Sequence, residues 1–172
     1  ETDFDTDKDG RPDRVHVDVT RPGQTESEGL KVPVVYSSSP YFAQTAPDFV
    51  PWDVRHELGE EPPKRGPMPG PAYQGERTRI SNSLVNTWVP RGFAVVHSEA
   101  TGTGRTQGCP TVGDYAERMA MKFVIDWLNG RARGFSRPAG GEEVRAGWST
   151  GKVGMIGVSY EGTLPLAAAS TG

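Results

Sequence analysis

The chain has 172 residues, a net charge of −3, a hydrophobic share of 34%, 22 glycines, 15 prolines and one cysteine, Cys109. Its length suits one domain with a sizeable core. Its charge leaves no footprint for nucleic acid or an anionic membrane surface, and no apolar run approaches the roughly 18–20 residues that span a bilayer. A single cysteine permits no internal disulfide, which leans toward the cytoplasm without excluding a secreted protein whose signal peptide has been removed. The chain starts without Met and ends at Thr171-Gly172, so we expect it to be a piece of a longer polypeptide.

In chain order, Asp5-Thr-Asp-Lys-Asp-Gly-Arg-Pro-Asp13 reads as a tight acidic turn. Val15, Val17 and Val19 alternate with His16 and Asp18, the period of a half-buried strand, which Arg21-Pro22-Gly23 breaks. A second strand covers Val32-Pro-Val-Val-Tyr36, with Pro33 marking its start as an edge or as unpaired. Residues 43–80 read as a long proline-rich loop, of the kind that serves as a lid, a binding loop or an insertion. A short helix is expected over Asn82–Val89, and Phe93-Ala-Val-Val-His97 reads as a strand buried on both faces. After the glycine-rich turn Gly102–Gly108, the clearest helix runs over Asp114–Asn129. It has Asp114 as N-cap, Glu117 three residues on, an apolar face of Ala116, Ala120, Phe123, Val124, Trp127 and Leu128, and Gly130 as its stop. Lys152–Gly157 then reads as a strand and Tyr160–Ser170 as a helix with Pro165 early in it. Strands alternating with helices predict an α/β fold with a mainly parallel sheet.

The segment Gly154-Met-Ile-Gly157-Val-Ser159-Tyr-Glu-Gly162 is strand, sharp turn, helix. A serine at such a bend presents its hydroxyl above the sheet, and Gly157 and Gly162 relieve crowding there. The Tyr160 N–H opens the following helix and points toward negative charge developing on a substrate oxygen. The pattern departs from Gly-x-Ser-x-Gly, because Glu161 holds the second glycine position and the glycine comes one residue later. The alternative is a serine that simply caps the helix. A nucleophilic serine needs a base and an orienting carboxylate, in the order Ser, Asp or Glu, His for this kind of fold. Nothing after Ser159 is Asp or His, nor is any Glu beyond Glu161, and His16, His56 and His97 all precede it, so the acid and base are expected outside this chain.

Several stretches together resemble one family. They are Ser39-Pro-Tyr41, Pro90-Arg-Gly-Phe-Ala-Val-Val96, Gly102-Thr-Gly-Arg105, Gly113-Asp-Tyr115, Val124-Ile-Asp-Trp-Leu-Asn-Gly-Arg-Ala-Arg133, Gly151-Lys-Val153 and Gly157-Val-Ser-Tyr-Glu-Gly162. They keep their order along most of the chain. The chain resembles the Xaa-Pro dipeptidyl-peptidases, serine peptidases of the α/β-hydrolase fold, and the related cocaine-esterase-like acyl hydrolases share the Gly-x-Ser-Tyr-x-Gly element. The resemblance implies that residues 1–172 are the N-terminal portion of one catalytic domain whose sheet is completed on its C-terminal side by chain not present here. It implies Ser159 as nucleophile and an oxyanion hole made of the Tyr41 phenol and the Tyr160 N–H. It further implies peptide substrates with proline at the second position and no required cofactor, with the fragment alone inactive. An acyl or amino-acid ester hydrolase and a non-catalytic module of the same fold stand as alternatives. One departure is Ser98-Glu-Ala-Thr-Gly-Thr-Gly, where the family reads more like Asp-x-Arg-Gly-Thr-Gly, and it leaves Glu99 without an assigned role.

Asp5, Asp7, Asp9 and Asp13 also resemble a calcium loop, since hard cations want clustered carboxylates, but His16 stands where the bidentate Glu of an EF-hand belongs. The alternative is a solvated acidic turn. The Gly102–Gly108 turn lacks the Gly-Lys-Ser/Thr ending of a phosphate loop. Arg131 and Arg133 read as helix-end charges.

Overall fold

The computed structural model describes residues 1–42, 59 and 82–172. The strands are β1 (Val17–Thr20), β2 (Val32–Ser39), β3 (Ala94–Glu99) and β4 (Ser149–Met155). The helices are α1 (Gln24–Ser27), α2 (Asn82–Trp88), α3 (Tyr115–Leu128) and α4 (Tyr160–Ala169). The sheet order is β1-β3-β2-β4, with β2 parallel to both β3 and β4 and β1 antiparallel to β3. This is the mainly parallel α/β sheet that the alternation of elements predicts. The long loop expected at 43–80 lies outside the described residues, apart from Gly59.

The core follows from the two-residue period of the inner strands. Val34, Tyr36, Ala94 and Val96 pack against Met121, Val124 and Leu128 of α3 and against Leu164 and Ala168 of α4. On the other face Val35 and Val95 are also buried, and α2 packs against β3, with Trp88 edge-on to Phe93. Every residue of β3 is buried: the apolar Ala94, Val95 and Val96 as expected between two neighbours, and also His97, Ser98 and Glu99, while the half-buried Phe93 lies just before the strand.

The helix boundaries agree with local chemistry. Asp114 Oδ1 accepts the Glu117 N–H at 3.0 Å, and the Gly130 N–H closes the C-terminus on Trp127 O at 3.0 Å. The helix expected to reach Val89 ends at Trp88 and continues as a 3₁₀ turn, Val89–Arg91, stopped by Gly92 at φ +82°.

Pro33, expected at an edge or unpaired, is unpaired: it lies within a central strand, because β2 pairs on both sides, but it has no partner in either register and falls at the shift against β4 between Val32 and Val34. One expectation needs correction. β4 starts at Ser149, three residues before Lys152, extending a ladder that the Val32 N–H opens on Trp148 O.

Candidate active site

The parallel strands β2, β3 and β4 end on the same edge of the sheet, which gathers Tyr41, Glu99 and Ser159. β4 runs out at Met155, the Ile156 N–H is taken by Tyr36 O at 3.0 Å, and the chain then turns sharply into α4. Ser159 holds φ +57° and ψ −124°, a region that residues with a Cβ avoid at a cost of about 1–3 kcal/mol. Its side chain makes no capping hydrogen bond, and the residue is exposed. The capping alternative therefore does not describe it. Its carbonyl instead accepts from the Gly162 and Thr163 amides at 2.9 and 3.1 Å.

The glycines explain how the bend tolerates Glu161. A Cβ on Gly157 would lie 2.1 Å from Glu161 O and 2.3 Å from its carbonyl carbon, and one on Gly162 would lie 3.1 Å from Gly157 O. The first turn of α4 thus folds directly over Gly157, so the glycine that matters most precedes the serine. As the first residue of α4, Tyr160 has an N–H outside the intrahelical ladder.

Tyr41 follows β2 through Pro40, with its N–H on Ser39 Oγ at 3.1 Å. It is 54% exposed, and its ring meets the Tyr160 ring edge to face at 6.0 Å. The structure thus brings Tyr41 beside the residue that follows Ser159. The Tyr160 phenol donates to Glu117 Oε1 at 2.5 Å, while Glu117 Oε2 accepts from the Gly113 N–H at 2.5 Å.

Among the described residues no histidine is hydrogen-bonded to Ser159. His97 is buried in β3 with its ring against Phe42 at 5.5 Å; burial pushes its pKa below the ordinary 6.5, against an upward pull from Asp18. His16 Nδ1 lies 3.2 Å from Glu99 Oε2, and His56 falls outside the described residues.

Glu99 has a role that its sequence position does not reveal. Only 2% exposed, it receives the Arg105 N–H on Oε2 at 2.7 Å beside His16, and a Cβ on Gly104 would lie 2.0 Å from its Oε1. It pins the turn after β3 into the protein. That turn is no phosphate cradle. The amides of Gly102, Thr103, Thr106 and Gln107 are spent on Gln107 O, Ala100 O, Thr103 O and Arg14 O. The thiol of Cys109 is free and exposed, and the Cys109 N–H donates to Thr6 Oγ1 at 2.8 Å.

In the acidic turn, ligand atoms of Asp5, Asp7 and Asp13 come within 4.8 Å of one another, the group that could hold a cation. Asp9 is not in that group, and its Oδ1 takes the Arg11 N–H at 2.8 Å. Asp13 Oδ2 is already engaged by the Thr6 N–H and Oγ1 at 3.0 and 2.6 Å. Arg131 pairs with Asp126 at 2.6 Å and Arg133 with Glu143 at 3.3 Å, both helix-end and loop ties.

A solved CocE/NonD family hydrolase from Staphylococcus aureus superposes with a TM-score of 0.56 at 22% identity, covering 99% of this chain and 25% of that one. The fold is therefore of the α/β-hydrolase type. Residues 9–172 match the X-Pro dipeptidyl-peptidase (S15) family, and the chain belongs to that family. Over its whole length it is 60% identical to a Rhodopirellula baltica protein provisionally named an Xaa-Pro dipeptidyl-peptidase, of which it covers 28%. It is 48% identical to a Bacillus anthracis protein with the same provisional name, covering 26% of it. With the Xaa-Pro dipeptidyl-peptidase of Ligilactobacillus salivarius it shares 34% identity and covers 24%. The chain thus spans about a quarter of the length of the curated relatives it matches.

Proposed function

We propose that this chain is the N-terminal portion of the catalytic domain of a serine exopeptidase that releases Xaa-Pro dipeptides from peptide N-termini. The observation that carries the reading is Ser159 itself: exposed, held at φ +57° between β4 and α4, with a side chain not used for capping. Family membership supports peptide substrates, and proline at their second position is part of this proposal.

In this reading Ser159 Oγ attacks the carbonyl after proline and loses its proton to a histidine base. The tetrahedral oxyanion is met by the Tyr160 N–H and by the hydroxyl of the Tyr41 phenol. The carbon–nitrogen bond breaks, the amine leaves with the proton, and water hydrolyses the acyl-enzyme. The base and its carboxylate belong to the part of the protein beyond residue 172. The chemistry needs no cofactor. A calcium ion at Asp5, Asp7 and Asp13 would serve the fold alone, and a calorimetric titration flat to millimolar calcium ends that idea.

The test compares the full-length protein with its Ser159→Ala variant on Ala-Pro anilide and on a simple aryl ester. The expected result is anilide turnover that falls roughly 10⁴-fold or more in the variant. Equal turnover by both proteins overturns the assignment of Ser159, and turnover of the ester alone makes the enzyme an esterase on the same residues. The isolated 172-residue chain should not react with a fluorophosphonate, and stoichiometric labelling would place the base inside it.

A further inference from the structure

The first turn of α4 is closed from within by the Gly162 and Thr163 amides on Ser159 O, with little further support. Ser159 gives it no side-chain cap, Gly162 lies in the turn, and Pro165 inside the helix has no N–H to donate back to Glu161 O. Yet this turn aims the Tyr160 N–H. An oxyanion donor works by being oriented before the charge develops, so a loosely held turn would weaken it.

The missing restraint comes from another helix. Glu117 is 3% exposed, and both its oxygens are committed, Oε2 to the Gly113 N–H and Oε1 to the Tyr160 phenol, each at 2.5 Å. The Glu117 N–H is held in turn by Asp114 Oδ1 at 3.0 Å. A glutamate at this position of a capping box ordinarily serves the start of its own helix. Here the same carboxylate serves its own helix start and also reaches 43 residues along the chain to the turn that carries Ser159. A phenylalanine at position 160 would lack the hydroxyl that makes this link. A hydrogen bond to a carboxylate is short, directional and about twice as strong as one between neutral groups. Against the ring it fixes stands Tyr41, edge to face at 6.0 Å.

We infer that Glu117 is a positioning residue for acyl transfer: through the Tyr160 phenol it locks the first turn of α4, and with it the Tyr160 N–H and the Tyr41 ring. The inference rests on the proposed roles of Ser159, Tyr160 and Tyr41. Burial, and after it the adjacent Glu117 carboxylate, raise the pKa of the Tyr160 phenol well above its ordinary value, so it stays a donor into the alkaline range.

The test uses the full-length protein with Tyr160→Phe, Glu117→Ala, Glu117→Gln and the double variant Glu117→Ala/Tyr160→Phe. Turnover of Ala-Pro anilide is referred to sites counted by exhaustive fluorophosphonate labelling, so that unfolded molecules do not enter. Tyr160→Phe and Glu117→Ala should each lower kcat per site about 10- to 100-fold, the scale of a small misplacement of a reacting group. KM should stay within about twofold, and the double variant should be no slower than the worse single, because both remove one interaction. Glu117→Gln keeps an acceptor for the phenol and should recover most of the rate. Unchanged kcat per site in Tyr160→Phe, or losses that multiply in the double variant, overturn the proposal. Failure of the underlying reading looks different: the parent would not label, and Ser159→Ala would keep its turnover.

Discussion

Two glycine-rich turns leave the same edge of the sheet, one after β3 and one after β4, and they use their glycines in opposite ways. The turn at 102–108 folds inward. Its glycines let the backbone close over Glu99 and Asp13, and its amides are consumed by the protein itself. The elbow at 157–162 folds outward. Gly157 lets α4 close over the end of β4, and what emerges is a strained serine with an open side chain. Glycine richness at a strand end therefore does not mark a site. The fate of the amides and of the side chain between the glycines does.

The comparison breaks or sharpens under substitution in the full-length protein. The largest effect is expected for Gly157→Ala, because the new Cβ meets backbone, Glu161 O at 2.1 Å, which cannot swing away. Activity per folded molecule should fall at least about 100-fold, and stability by about 1–3 kcal/mol. Gly154→Ala, whose nearest neighbour is 4.0 Å away, is the control. Next comes Gly104→Ala, strained by φ +57° and 2.0 Å from Glu99 Oε1. It should cost about 2–3 kcal/mol in denaturant unfolding while the surviving enzyme turns over at nearly the parent rate. A Gly104→Ala enzyme that is stable but slow would erase the distinction between the two turns.

A smaller effect concerns His97. Burial lowers its pKa, so the folded state holds it neutral while the unfolded chain takes up a proton below about 6.5. Its contribution is complete above that value and is lost as pH falls toward the lowered one. Melting temperature should therefore drop less between pH 7 and pH 5.5 in His97→Gln than in the parent. The smallest effect belongs to Cys109→Ser, at an exposed, unpaired thiol, which should shift stability by no more than about 0.5 kcal/mol.

Much of the fold was legible because it is encoded locally. The apolar run that opens β3, the Asp114 cap and Gly130 stop of α3, and the strand–turn–helix around Ser159 each announce themselves within a few residues. What the residues hid is what depends on distant partners. Glu117 reads as a capping glutamate until Tyr160, 43 residues on, is beside it. Glu99 reads as a departure from pattern until His16 and the Arg105 amide meet it. A proline announces that a ladder bond is missing but not where the strand lies, so Pro33 suggested an edge or an unpaired start, and it is unpaired at a register shift within a central strand. That Tyr41 stands against Tyr160 follows from β2 and β4 being neighbours, which no local pattern states.

One feature of the core bears on how the elbow comes to be built at all. Tyr36, fully buried with its phenol pushed up to about 12 by burial, shares a hydrogen bond with Ser98 Oγ at 2.6 Å, and Ser98 in turn bonds Ser38 at 3.0 Å. These hydroxyls act as a registration pin between β2 and β3. If the strands slid past one another, dry hydroxyls would be stranded at about 1–3 kcal/mol each. The carbonyl of the same Tyr36 receives the Ile156 N–H, the last rung before Gly157. Misalignment of β2 and β3 is thus penalised at the centre of the sheet, and the strand that delivers Ser159 is bonded to the same residue that carries the pin.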